Sequence, residues 1–159
     1  MCQPICSIFN SSIREGFVSV IWKSANVIPI PKVHPPRTIE SDLRPISLVP
    51  TIAKLLESII GSWILEAIEP HIYRYQFGSI ICKSTTLALA DMVHHWTQAM
   101  DNKQRILFID FEKAFERVFH NLVIDKFKSF NVNPILIRWL CSFLSNRRQR
   151  TKISTLLNG

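Results

Sequence analysis

Asp110 follows the apolar run Ile106–Ile109 in the stretch ILFIDFEKAFERVFH, Ile106–His120. A carboxylate placed there is open to two uses. As a helix N-cap, its side-chain oxygen accepts a backbone N–H of the turn that follows. As a ligand, it sits at the carboxyl end of a strand, where ligands of α/β sheets gather. A rigid strand holds such a group still enough to bind a hard cation such as Mg2+, which prefers oxygen donors. One carboxylate does not complete a metal site, and by spacing alone the cap is the simpler reading. Glu112 and Glu116 read as solvated helix residues, and Phe115 as ordinary packing on a helical turn.

A second group is the basic tail NRRQRTKIS, Asn146–Ser154, with Arg147, Arg148, Arg150 and Lys152. Arginine forks bind phosphate oxygens in pairs, so these side chains suit a nucleic-acid backbone. Charge on an exposed hairpin edge also guards against aggregation, and the sequence leaves both uses open. His94 and His95 lie in a helical pattern with no cysteine or carboxylate making a metal face with them; one reads as surface and one as partly packed. Cys2, Cys6, Cys82 and Cys141 form no C-x-x-C pair and read as reduced thiols. Cys82, Ser84 and the histidines assemble no nucleophile constellation.

The chain that must position these groups has 159 residues, 47% of them hydrophobic, which suffices for one domain with a core. Lys+Arg number 19 against 12 Asp+Glu, a formal net charge of +7. That surplus favours a polyanionic partner. The N-terminal MCQPICSIFN has neither a basic start nor a long apolar stretch, so no signal peptide is expected. The longest helical pattern, Thr51–Glu69, carries Lys54, Glu57 and Glu66, which argues against a membrane span. An intracellular, cytoplasmic or nuclear protein with no membrane partner is the expectation.

Along the chain, Phe17–Pro31 mixes β-branched residues with prolines and predicts one or two edge strands. Lys32–Asp42 is a polar loop, and LRPISLVP an extended segment because its prolines disfavour helix at the residues before them. Ile52, Leu55, Leu56, Ile59, Ile60, Trp63 and Ile64 repeat at helical spacing, predicting an amphipathic helix from Thr51 to near Pro70. A second helix starts at Ser84 or Thr85 and runs through Leu89, Val93, Trp96 and Met100, with Asp101 and Asn102 turning out of it. Arg105–Ile109 reads as a strand buried on both faces, followed by a short helix and by another over Asn121–Phe130. Asn133 caps and Pro134 opens a last helix, with Ile135, Leu136, Trp139, Leu140 and Phe143 inward. The fold class is α/β (α+β), in one domain.

Three stretches, in order, resemble the reverse transcriptases of non-LTR retrotransposons. They are VIPIPKVHPPR with DLRPISLVPTIAKLLESII, then QFGSIICKSTTLAL, then ILFIDFEKAFERVFHNLVIDKF with RWLCSFLSNRRQRTKIS. The resemblance implies a partial right-hand polymerase fold: fingers over residues 17–100, and the first palm strand with its following helices over residues 101–159. It implies that Asp110 is a catalytic carboxylate binding Mg2+, with the backbone of Phe111 beside it. The aromatic matched by Phe115 lies under the sugar of the incoming nucleotide, where bulk excludes a 2′-hydroxyl. Lys32, Arg44 and Lys83 match cations near the triphosphate or template. RNA template, DNA primer and deoxynucleoside triphosphates are the implied partners.

The chain also departs from the family pattern. Ser79, Ile80, Ile81 and Cys82 stand where an aromatic, an arginine and a glycine are usual, Glu116 replaces an aspartate, and Phe119 precedes His120 in place of a polar residue. The Pro-Gln-Gly and Ala-Asp-Asp motifs, the latter carrying the remaining catalytic carboxylates, are not among these residues. Two cations about 4 Å apart need several anionic ligands, so the polypeptide is expected not to polymerise DNA by itself, leaving a nucleic-acid-binding module as the alternative. A phosphatase of the hhhhD-x-D type is disfavoured by Glu112 and by the lack of a following threonine.

Overall fold

The computed structural model describes residues 2–38, 42–111 and 114–151. The elements are α1 (Cys2–Glu15), β1 (Ser24–Pro31), β2 (Leu43–Leu48), α2 (Thr51–Ile68), α3 (Thr85–Asp101), α4 (His120–Ser129), α5 (Pro134–Leu144) and β3 (Arg148–Thr151). Short 3-10 turns cover Glu69–His71 and Ala114–Arg117. This mixture of helices with one small sheet is an α+β fold. The chain divides into two units, Met1–Ile68 with His120–Gly159, and Glu69–Phe119.

The first unit is built on Phe9, Val18, Leu56, Ile60, Ile64, Val132, Leu136 and Trp139. Helix α1, not anticipated from sequence, supplies Phe9 and buried Ser12. It stops at Gly16, whose φ of +61° a side chain would strain. The Gly16 N–H donates to Ile13 O at 3.1 Å and the Phe17 N–H to Ser12 O at 3.0 Å, the paired bonds of a Schellman C-cap. The Ser12 hydroxyl donates to Phe17 O at 2.6 Å and accepts the Trp139 indole N–H at 3.1 Å, fixing α1 to α5.

Helix α2 buries Ala53, Leu56, Ile60 and Ile64 at helical spacing. Leu55 and Trp63, expected inward, are half exposed, because the core covers a narrower stripe than the apolar positions offer. In α5, Asn133 Oδ1 accepts the Ile135 N–H at 2.9 Å and Pro134 opens the first turn, as expected. Leu136 and Trp139 are buried and Leu140 and Phe143 pack against the cluster, whereas Ile135 is exposed. Lys23 is buried, donating to Ser142 Oγ at 3.5 Å, and Ser142 also accepts the Val18 N–H at 3.0 Å. Ser142 lies in the last turn of α5, where the helix dipole favours a cation.

The sheet has the order β2-β1-β3, with β2 antiparallel and β3 parallel to β1. The expected edge strand is thus the central one. Its prolines are nonetheless tolerated, because β3 pairs only with Ser24–Val27, leaving Pro29 and Pro31 with one neighbouring strand. Pro29 faces Pro45, so this pair can exchange no N–H bonds.

In the second unit, Ser84 caps α3, its hydroxyl accepting the Leu87 N–H at 3.2 Å. None of its residues is buried, so Leu89, Val93 and Met100 do not form the core face their spacing predicts. Among the described residues of this unit no further helix longer than a turn exists to cover them. The predicted strand Arg105–Ile109 is likewise not formed: the segment is irregular, with Leu107 82% exposed. A strand buried on both faces needs strands beside it and layers on each side, and the described residues of the unit supply neither. No described helix is long and apolar enough to cross a membrane.

Candidate functional site

In the first unit, the sheet register decides which candidate side chains share a face. Ala25 and Val27 are buried, so Ser24, Asn26, Ile28 and Ile30 lie on the opposite side of β1. The partners across the ladders are Arg44 for Ile30, Ile46 for Ile28, Leu48 and Arg150 for Asn26, and Arg148 for Ser24. Residues opposite one another point to the same face. One side of the sheet therefore carries half-exposed Ile28, Ile30, Ile46 and Leu48, with Arg148 and Arg150 at one end and Arg44 at the other. The ends are about 20 Å apart from the rise per strand residue. Lys32 follows directly on β1 at the Arg44 end, its N–H donating to Asp42 O at 2.6 Å.

Arg147 is drawn elsewhere. Its guanidinium lies 4.4 Å from the centre of the Phe143 ring and donates to Phe143 O at 3.4 Å, folding it onto α5. Its charge also reaches Glu57 of α2, whose carboxyl burial pushes above the ordinary value while Arg147 and Lys54 pull it down. Glu57 Oε1 is buried without a hydrogen-bond partner among the described residues. Lys152 lies outside the described residues.

In the second unit, Asp110 and Phe111 are exposed, Phe111 at 75%. The backbone of Phe115 falls in the turn Ala114–Arg117, while its side chain and Glu112 lie outside the described residues. Among the described residues no helix starts directly after Asp110: Phe111 is irregular and the next described helical turn begins at Ala114. Among the described residues no three His, Cys, Asp or Glu side chains gather to hold a metal ion. Asp110 with its described neighbours is thus a single carboxylate, short of what Mg2+ or a pair of such ions requires. Lys83 is engaged locally, its Nζ donating to Arg74 O at 2.5 Å and standing 5.2 Å from the Phe77 ring.

The structure also brings Tyr73, Arg74 and Tyr75, which no sequence motif singled out, together with His95 and His94. Tyr73 and Tyr75 meet edge to face at 5.4 Å, Tyr75 meets His95 at 5.7 Å, and His95 meets His94 at 5.7 Å. The Arg74 guanidinium lies 4.6 Å from the centre of the Tyr75 ring. Both histidines are exposed, so neither is the packed one expected. The legible signal was the triplet Tyr73-Arg74-Tyr75, a cation between aromatics.

Residues 30–158 match the family model described as "Reverse transcriptase (RNA-dependent DNA polymerase)", a span that includes every candidate named above from Lys32 to Lys152. The chain is similar to the RNA-directed DNA polymerase from mobile element jockey of Drosophila melanogaster, 33% identical over 149 residues, 91% of this chain and 16% of that protein. It is similar to the probable RNA-directed DNA polymerase from transposon BS of the same organism, 31% identical over 150 residues, 92% of this chain and 16% of that protein. The probable RNA-directed DNA polymerase from transposon X-element, also of Drosophila melanogaster, is 32% identical over 148 residues, 91% of this chain and 16% of its own length. The chain thus spans 16% of the length of these curated relatives.

Proposed function

Because the chain belongs to the reverse transcriptase family, we propose that it carries the fingers, residues 17–100, and the start of the palm, residues 101–159, of a non-LTR retrotransposon RNA-directed DNA polymerase. Polymerases of this family generally use a divalent metal. In this reading Asp110 is the carboxylate the chain contributes toward Mg2+, with Phe111 beside it and Phe115 against the sugar of the incoming deoxynucleoside triphosphate. Lys32, Arg44 and Lys83 serve the nucleotide; Arg147, Arg148, Arg150 and Lys152 serve the RNA template and DNA primer. Fixed cations of this kind offset charge on phosphoryl oxygens.

The observation that carries the reading is the register placing Arg44, Arg148 and Arg150 on one face of the sheet, within the span matched by the family. On its own the 159-residue polypeptide binds nucleic acid without extending a primer, since Asp110 cannot alone offset two cations. The test is a titration with primed RNA template at about 50 and about 200 mM salt, where phosphate contacts make affinity fall steeply. Absence of binding at the lower salt would overturn the reading. Deoxynucleotide incorporation that disappears in Asp110→Ala would overturn the claim that the polypeptide is inactive alone.

A further inference from the structure

We propose that Tyr73, Arg74, Tyr75 and His95 form a stacking platform for unpaired nucleobases of an RNA or DNA strand. The inference rests on the polymerase reading and assigns it a contact outside the cations and Asp110. Successive rings from Tyr73 through Tyr75 and His95 to His94 stand 5.4, 5.7 and 5.7 Å apart. In an edge-to-face contact the edge of one ring covers one face of its neighbour, which holds the rings in place. Tyr75 is half-buried with Arg74 over its ring, so the ring most open to a base is that of Tyr73. Tyr73 is 70% exposed, and Arg74 is exposed beside it.

Packing the loop onto α3 would explain the contacts if the rings were sealed away from water. They are not: Tyr73 and both histidines are exposed, and α3 buries none of its residues. A large ring left in water next to a guanidinium offers a π-face for a base and a cation for the adjoining phosphate. Lys83, 5.2 Å from the Phe77 ring, repeats the pairing of cation and aromatic in the same loop. Asp91, 3.7 Å from His95 Nε2, is the carboxylate in ion-pair range of that ring. The partner this chemistry fits is single-stranded, because in a duplex the base faces are already stacked on one another.

The full chain is titrated, at about 200 mM salt to weaken phosphate contacts, with a single-stranded RNA oligonucleotide carrying 2-aminopurine and with a blunt duplex of the same sequence. Stacking is expected to quench the 2-aminopurine fluorescence. Tyr73→Ala/Tyr75→Ala is expected to weaken single-strand binding about tenfold or more and to abolish the quench. Duplex affinity stays unchanged, and Tyr73→Phe/Tyr75→Phe retains both signals. Quenching and affinity that survive the alanine substitutions, or an equal loss for single strand and duplex, would overturn the platform while leaving the polymerase reading intact. Failure of the unsubstituted chain to bind the single strand at about 200 mM salt would overturn the platform, whereas the polymerase reading falls only if binding is absent at about 50 mM salt as well.

Discussion

The Arg138 guanidinium donates to the carbonyl oxygen of Arg14 in the last turn of α1, and its side chain fills the space above Gly16. A cation here meets the negative end of the helix dipole and satisfies a carbonyl without a helical partner. The glycine is required twice over, for its φ of +61° and because a Cβ would overlap Arg138.

Gly16→Ala is accordingly expected to destabilise the first unit by about 1–2 kcal/mol, the order of the left-handed penalty for a side chain. Urea denaturation would measure it. Arg138→Ala in the same background should relieve part of the cost, and a purely additive double variant would contradict the overlap.

Ser12→Ala removes the acceptor of the buried Trp139 N–H and the donor to Phe17 O. A loss of about 1–3 kcal/mol is expected, the cost of leaving a buried donor unpaired. Urea denaturation followed by tryptophan fluorescence would measure it, and an unchanged midpoint would show that the bond contributes nothing.

Glu57 has a carboxyl raised above its ordinary value of 4.5, chiefly by burial, with Arg147 and Lys54 opposing. A raised acid is favoured in the folded state when protonated, so its contribution is fully present below pH 4.5 and lost as pH rises through the folded value. Glu57→Gln should therefore melt higher than the unsubstituted chain near neutral pH, with the difference shrinking toward acid pH. Thermal melts across that range check the sign, and a difference that grows on acidification would refute it.

Arg148→Ala and Arg150→Ala are each expected to reduce the salt slope of nucleic-acid binding by about one. Arg147→Ala should have less effect, since its guanidinium already stacks on Phe143. Titrations at several salt concentrations separate these outcomes.

Asp110→Ala should change stability by no more than about 0.5 kcal/mol, as for other exposed positions without special contacts. Urea denaturation of this variant should overlay that of the unsubstituted chain.

The helices α2 and α5 and the caps Ser84 and Asn133 are legible in the sequence because their signals are local: an apolar period, a capping side chain, a proline in the first turn. Helix α1 is not, since Pro4, Ser11 and Ser12 propose no helix, and its stability comes from contacts with residues far along the chain. Ile106–Ile109 shows the converse limit. An apolar run announces that it needs neighbours without naming them, and the described residues of its unit leave it exposed. Asp110 is similar: its residue type and position are readable, but the role proposed for it comes from family resemblance and not from its surroundings. Likewise Arg148 and Arg150 read only as a basic tail until the register puts them opposite Ser24 and Asn26.

The bond between Trp139 and Ser12 joins positions 127 apart, and those from Val18 and Lys23 to Ser142 span 124 and 119. A chain made from its N-terminus at about 5–20 residues per second cannot form these contacts until α5 has left the ribosome. For several seconds Phe9, Val18 and the buried faces of α1 and α2 therefore wait in water, where a chaperone or another nascent chain can reach them first. The demand such a core places on the cell is thus greatest during synthesis, before its closing helix exists.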